Sequence, residues 1–433
     1  MTSLQSGTAV HADQALPGLL DCLDLIRADF PILQRELADG FPLVYLDSAN
    51  TSQKPQVVID AMVDHLERHN ANVARAMHQL GAESSAAFEE ARDKVAAFLN
   101  APSRDEVIFT KNASEALNLV ANTLAWATGP LAIGPGDEVL ITEMEHHSNI
   151  VPWQLLTQRK GATLRWFGLT DDGRLDLSNI DELINVRTKV VSLTWVSNML
   201  GTVNPVAEIA RRAHEVGAIV VVDAAQAVPQ MPVDVQAADI DFLAFTGHKV
   251  TGPTGIGVLW GRRALLEQLP PFLGGGEMIA TVAMEGSTYA GIPHKFEAGT
   301  PPIVEAVGLG AAIDYLTAIG MENVRAHEEA ITGYALQGLA TVKGLTVLGP
   351  QSPELRGGAV SFQIEGIHPH DVSQVLDSRG IAVRAGHHCA KPAHKRFKVQ
   401  STTRASSYLY TTPQEIDTLV EGLEYTKRYF KVG

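Results

Sequence analysis

Through the middle of the chain, short apolar runs rich in β-branched residues alternate with longer segments whose apolar positions recur at helical spacing. EVIFT at 106–110, DEVLIT at 137–142, TKVVSLTWVS at 188–197, AIVVVDA at 218–224 and DFLAFTG at 241–247 are apolar on consecutive residues. Strands read this way when both faces are buried, so the pattern predicts an α/β fold with a mostly parallel central sheet sandwiched by helices. Between the runs lie SEALNLVANTLAWA and VAEIARRAHEVGA; the second starts after Pro205 and stops at Gly217, the usual asymmetry of a helix. Near residue 310 the pattern changes. Helical stretches around 305–340 lead into GGAVSFQI, a helix from Asp371 to Asp377 and a strand in IAVRAG, which predicts a smaller α+β domain. The expected division is a disordered tail over 1–25, a large domain over 45–305, and a small domain built from 26–44 with 306–433.

Charge and cysteine usage narrow the function classes. Of the 433 residues, 34 are Lys or Arg and 49 are Asp or Glu, a balance of −15 that repels phosphate backbones and argues against a nucleic-acid-coating role. Cys22 and Cys389 are the only cysteines, too few for a disulfide framework or an all-cysteine metal site, and in keeping with a reducing compartment. No apolar stretch approaches the roughly 20 residues that a bilayer needs, and the opening segment has no basic residue before Arg27. A cytoplasmic protein without a membrane segment is expected. Cys22, in LLDCLDLI, is expected to be a small packed residue on the apolar face of a short helix.

In a parallel α/β sheet, ligands sit beyond the carboxyl ends of the strands, so the polar residues that follow each apolar run are the candidates. After EVIFT, Asn112 with Glu115 three residues on forms a capping pattern; a helix start there offers free N–H groups and the Ser114 hydroxyl to a phosphate, or is an ordinary capped helix. His146 and His147 follow DEVLITEME; adjacent residues on an extended segment point opposite ways, so a zinc site is not expected, and an imidazole there either stacks on a flat ring and shuttles a proton or is a plain loop residue. Asp223 ends a very apolar strand and needs a partner, which is either a structural hydrogen-bond network or a protonated ring nitrogen. Lys249 ends the DFLAFTG run at the glycine-rich GPTGIGVLW, where an amine in a cleft can form a Schiff base. Cys389 closes a strand–turn segment among Arg384, His387, His388 and Lys391, surroundings that favour thiolate, and Arg404 in STTRASSYLY can grip a carboxylate.

A phosphate cup, a stacking histidine, an aspartate for a ring nitrogen and a Schiff-base lysine resemble the layout of fold-type I enzymes that use pyridoxal 5′-phosphate (PLP). YLDSAN, EHHSNIVPWQ, VSNMLGT, VDAAQAV, GHKVTGPTGIGVLW, GGGEMI, KFEAGTP and RAGHHCA occur in the order found in class V aminotransferases. With Cys389, the chain resembles their cysteine desulfurases, the SufS type with a short cysteine loop. The resemblance implies that Lys249 carries PLP and moves protons, that Asp223 pairs with the ring nitrogen with Gln226 near the ring hydroxyl, and that His146 stacks on the ring. It further implies that Ala113, Ser114, Thr246 and His248 bind the phosphate, joined by Thr300 from the other subunit of a homodimer. Asn198, Arg384 and Arg404 would hold the substrate carboxylate. Cys389 would take sulfur from L-cysteine, or selenium from L-selenocysteine, and pass it to an acceptor of SufE or zinc-containing SufU type for iron–sulfur cluster assembly. His370 lies where a zinc-type acceptor could exchange a ligand. Departures from the family pattern are Ala74-Arg75, Ala113-Ser114, Asn50 and Thr246. The competing readings are a selenocysteine lyase or another class V PLP enzyme, and a non-catalytic scaffold.

Overall fold

The computed structural model describes residues 18, 20, 22–37, 40–73 and 77–432. Its central sheet has seven strands: β2 (Val107–Thr110), β3 (Glu138–Thr142), β4 (Thr163–Phe167), β5 (Thr188–Thr194), β6 (Ile219–Asp223), β7 (Phe242–Thr246) and β8 (Gly257–Gly261), after a short β1 at Val44–Tyr45. They lie side by side in the order β2-β8-β7-β6-β5-β3-β4. Six run parallel, and β8 alone is antiparallel, pairing with β2 and β7. All five of the apolar runs are strands of this sheet. β2, β3, β7 and β8 are buried at every residue, which is why their sequences are apolar without alternation.

Helices cover both faces. Ala113–Trp126 packs against β7 and β8, and Val206–His214 against β5 and β6. The second runs between Pro205 and the turn at Gly217, whose φ of +77° suits glycine. An exposed hairpin, β9 (Ile279–Ala283) with β10 (Gly286–Tyr289), follows the sheet. Two long helices, Ile303–Ile319 and Met321–Thr341, meet at 75°. No single helix among the described residues is long and apolar enough to cross a membrane.

The C-terminal region forms an antiparallel sheet of four strands, β11 (Leu345–Val347), β12 (Ala359–Ile364), β15 (Thr402–Ser406) and β14 (Arg384–Gly386), in the order β11-β12-β15-β14. IAVRAG, expected as one strand, is two. β13 (Ile381–Ala382) pairs in parallel with β1, whereas β14 turns to pair with β15. The helix expected over Asp371–Asp377 begins two residues earlier, at Pro369, behind the His368 cap.

Near the N-terminus a helix spans Leu23–Ala28, and its first three residues fall in the stretch expected as a disordered tail over 1–25; of the rest of that stretch only Gly18, Leu20 and Cys22 are among the described residues. The packed role expected for Cys22 is wrong. The helix starts one residue after it, so Cys22 occupies the cap position and is exposed, while the buried position of this helix is Ile26. Arg27 ties the helix to the C-terminal region through a 3.0 Å ion pair with Glu415.

Candidate active site

The carboxyl ends of β2, β3, β5, β6 and β7 meet the four-stranded sheet around a cavity of about 270 Å³. Ala113, Ser114, His146, Asn198, Asp223, Gln226, Thr246, His248, Lys249, Arg384, Cys389 and Arg404 all line it. Thr300 lies outside this cavity and is exposed. Asn50 lines the cavity, whereas Ala74 and Arg75 lie outside the described residues. Among the described residues no group of three or more His, Cys, Asp or Glu side chains is arranged to hold a metal ion.

One wall is the start of the helix Ala113–Trp126. Asn112 caps it by accepting from the Glu115 N–H at 2.9 Å. The Glu115 carboxylate reaches back to the Lys111 N–H rather than to that of Asn112, so the capping box is displaced by one residue. The Ser114 hydroxyl meets the Ser148 hydroxyl at 2.5 Å. Across the cavity, Thr246 Oγ1 is buried and has no partner within the protein. A helix N-terminus, two hydroxyls and an orphaned buried hydroxyl form a donor set for an anion.

The floor carries the charges. Asp223, at the end of β6, accepts from the Ala225 N–H at 3.0 Å; burial raises its carboxyl above the usual range, opposed by that bond and by the Lys249 cation. Lys249 follows β7, and burial pushes its amine down to about 8 although Asp223 pulls the other way. About one amine in ten is therefore neutral at pH 7 without any ligand. Burial, then the Lys249 cation and the nearby His147 and Arg404, push His146 down to about 4. Its neutral ring accepts the Ser148 N–H at Nδ1 (3.1 Å), which leaves the proton on Nε2.

Arg384 on β14 stands directly opposite Arg404 on β15. Like charges in cross-strand register repel, so this pair calls for an anion between or beside them. Asp47 supplies part of it: Arg404 Nη2 donates to Asp47 at 3.3 Å and Nη1 to the Asn198 carbonyl at 2.8 Å, while the buried Nε has no partner within the protein. Asp47 sits inside YLDSAN, yet nothing in that motif pointed to an arginine 357 positions away.

Cys389 lies on an exposed turn beside the cavity. His388 and Cys389 both adopt left-handed backbone, φ +49° and +54°. For side chains with a Cβ that conformation costs about 1–3 kcal/mol each and persists only where surrounding contacts impose it. Those contacts are present. Asn198 Nδ2 donates to the His388 carbonyl at 2.5 Å, and His388 Nε2 and His394 Nε2 both meet Thr402 Oγ1, at 2.9 and 3.2 Å. The His147 N–H donates to the Cys389 carbonyl at 2.8 Å.

The aminotransferase class V family matches residues 44–419, and the chain belongs to it. A probable cysteine desulfurase of Streptomyces coelicolor is 66% identical over 96% of this chain and 99% of its own. Among solved structures, the apo cysteine desulfurase of Thermococcus onnurineus superposes with a TM-score of 0.88 at 37% identity, covering 96% of this chain and 99% of that one. A cysteine desulfurase of Escherichia coli gives 0.86 at 35%, covering 94% and 98%.

Proposed function

We propose that this protein is a PLP-dependent cysteine desulfurase that converts L-cysteine to L-alanine and keeps the sulfur on Cys389 as a persulfide. The observation that carries the reading is the meeting of a buried amine of lowered basicity, Lys249, with an exposed thiol, Cys389, at one cavity walled by anion donors.

The residues fit the cofactor. The orphaned Thr246 hydroxyl, Ser114, the Ala113 N–H and His248 would hold the phosphate, Asp223 the ring nitrogen, Gln226 the ring hydroxyl, and His146 the ring face. Thr300 from a second copy of the chain would complete the phosphate site in a homodimer. When bound, PLP supplies an electron sink for negative charge developing at the amino acid's α-carbon. Lys249 Nζ would hold it and would take and return protons at that carbon. Asp223 would hold the ring nitrogen in its protonated form, since a buried carboxylate gains most from a cation in contact with it. Arg404, with an unused Nε and two Nη groups already fixed, orients the substrate carboxylate with Arg384 and Asn198.

The chemistry balances without a further reagent. The substrate Cβ–S bond breaks as the Cys389 sulfur bonds to the leaving sulfur; Cβ keeps the electron pair of the broken bond and takes one proton in place of sulfur, and of the two thiol protons present at the start one stays on the persulfide, so cysteine and the Cys389 thiol give alanine and Cys389–S–SH. The exposed turn leaves that persulfide open to an acceptor, for which we infer the SufE or SufU type, His370 being an exposed candidate contact. Delivery to iron–sulfur cluster assembly in the cytoplasm follows from this reading. The test is alanine formation from cysteine and from selenocysteine by wild type and Cys389→Ala. Loss with cysteine alone is the expected result; equal sulfur transfer by both proteins would refute it.

A further inference from the structure

His147, next to the cavity-lining His146, does not line the cavity itself but grips the cysteine turn twice. Its main-chain N–H donates to the Cys389 carbonyl at 2.8 Å, and its Nε2 accepts the Lys391 N–H at 3.1 Å. The two bonds bracket the reactive thiol, one on its own peptide group and one two residues on. They join the segment after β3 to the start of the helix Lys391–Arg396, the second across 244 positions of sequence. Nε2 can accept only while the ring is neutral. Burial, then the Lys391 charge and the neighbouring His387, lower the tendency of this imidazole to take up a proton, in agreement with that role.

We propose that His147 is a positioning residue for sulfur transfer: together with Asn198 it imposes the left-handed backbone of His388 and Cys389 and so fixes where the Cys389 sulfur meets the substrate. The physical reason is the strain itself. Two consecutive non-glycine residues at positive φ relax towards extended or helical backbone unless held from outside. His147 holds the C-terminal side of the turn and Asn198 the N-terminal side. The same pair of adjacent histidines thus serves both halves of the reaction, with His146 on the cavity and His147 on the thiol.

This inference rests on Cys389 being the sulfur carrier, and the experiment separates the two. Holoenzyme is prepared as wild type, His147→Ala, His147→Asn, His147→Gln and Cys389→Ala. Each is assayed for alanine formation, for the visible absorbance of bound PLP and for the rate at which iodoacetamide alkylates Cys389. Gln places an acceptor near the position of Nε2, whereas Asn stops short of it. The expected result is a three- to tenfold fall in kcat for the Ala and Asn variants, about what one lost hydrogen bond is worth. KM and PLP absorbance should stay unchanged, Cys389 alkylation should change in rate, and His147→Gln should restore most of the loss. If Gln is as impaired as Asn and Ala, or if all three match wild type, the positioning role is overturned. If Cys389→Ala makes alanine at the wild-type rate, the sulfur-carrier reading fails instead, whatever the His147 variants do.

Discussion

The Lys54 ammonium donates to the carbonyl oxygen of His248 at 2.9 Å, one peptide bond before Lys249. The Thr51 hydroxyl (3.0 Å), the Ser52 hydroxyl (3.1 Å) and the Ser52 N–H (3.0 Å) converge on the same oxygen. The segment after YLDSAN thereby fixes the peptide bond that leads into Lys249, and Lys54 does so at some cost, because burial pushes its ammonium down to about 7.

That cost predicts a pH-dependent stability effect. Folded Lys54 binds fewer protons than unfolded Lys54 between about 7 and its ordinary value of 10.5. From this group stability therefore rises as pH climbs through that window, and the cost of charging is fully present below it. Lys54→Met removes the dependence. In thermal melts of the apoprotein, the variant should compare more favourably with wild type at about pH 6 than at about pH 9. A difference in Tm that is the same at both pH values contradicts the account.

Lys249 leads to a kinetic prediction. Only the neutral amine captures an aldehyde, so PLP uptake by apoprotein should rise with pH to a midpoint near 8 and level off above it, rather than climbing to the range of an ordinary lysine. Asp223→Asn should move this midpoint lower, because Asp223 contributes most to raising the Lys249 value, while turnover falls by orders of magnitude. An amine made more reactive in an enzyme made less active is a combination that general unfolding does not produce. Stopped-flow absorbance across pH measures both proteins.

Gly257 begins β8 with its backbone against the helix cap. A Cβ there would stand 2.4 Å from Asn112 Cα, so Gly257→Ala must displace the turn that starts the phosphate wall. The variant should hold PLP at least about tenfold more weakly, equivalent to roughly 1.4 kcal/mol, as measured by equilibrium dialysis. Retention at the wild-type level would show that the wall does not bind the phosphate.

Arg92 is fully buried and forms two bonds with Glu297, at 2.7 and 2.9 Å, and Glu297 also accepts the Phe109 N–H at 2.7 Å. Glu297→Ala leaves the Phe109 N–H without its acceptor and Arg92 with Glu89, at 3.1 Å, as its remaining carboxylate partner, so it should destabilise the fold by about 1–3 kcal/mol. Denaturant unfolding of the two proteins checks this.

Much of the fold was legible because its central strands are buried on both faces, which writes them as unbroken apolar runs. The cavity was legible for the same reason: every run ends on its polar residue, so Asp223 and Lys249 stand out against their neighbours. What could not be read depends on distant partners. β8 is hidden within a glycine-rich segment whose antiparallel pairing is set by β2 and β7. IAVRAG divides because β1 captures its first half and β15 its second. Asp47, Lys54 and His147 have no local signature; each acquires its role from Arg404, His248 or the cysteine turn. Cys22 was misplaced because LLDCLDLI has the spacing of an amphipathic helix, and that spacing does not say on which residue the helix begins.

The central claim is that Cys389, and not Cys22, carries the sulfur, although both thiols are exposed. Peptide mass spectrometry of holoenzyme treated with L-cysteine, without acceptor or reductant, measures this directly. The account predicts one added sulfur atom on the peptide that contains Cys389, none on the peptide of Cys22, and none on either in Lys249→Ala. Alanine accumulating at the full rate while the Cys389 peptide stays unmodified would contradict it.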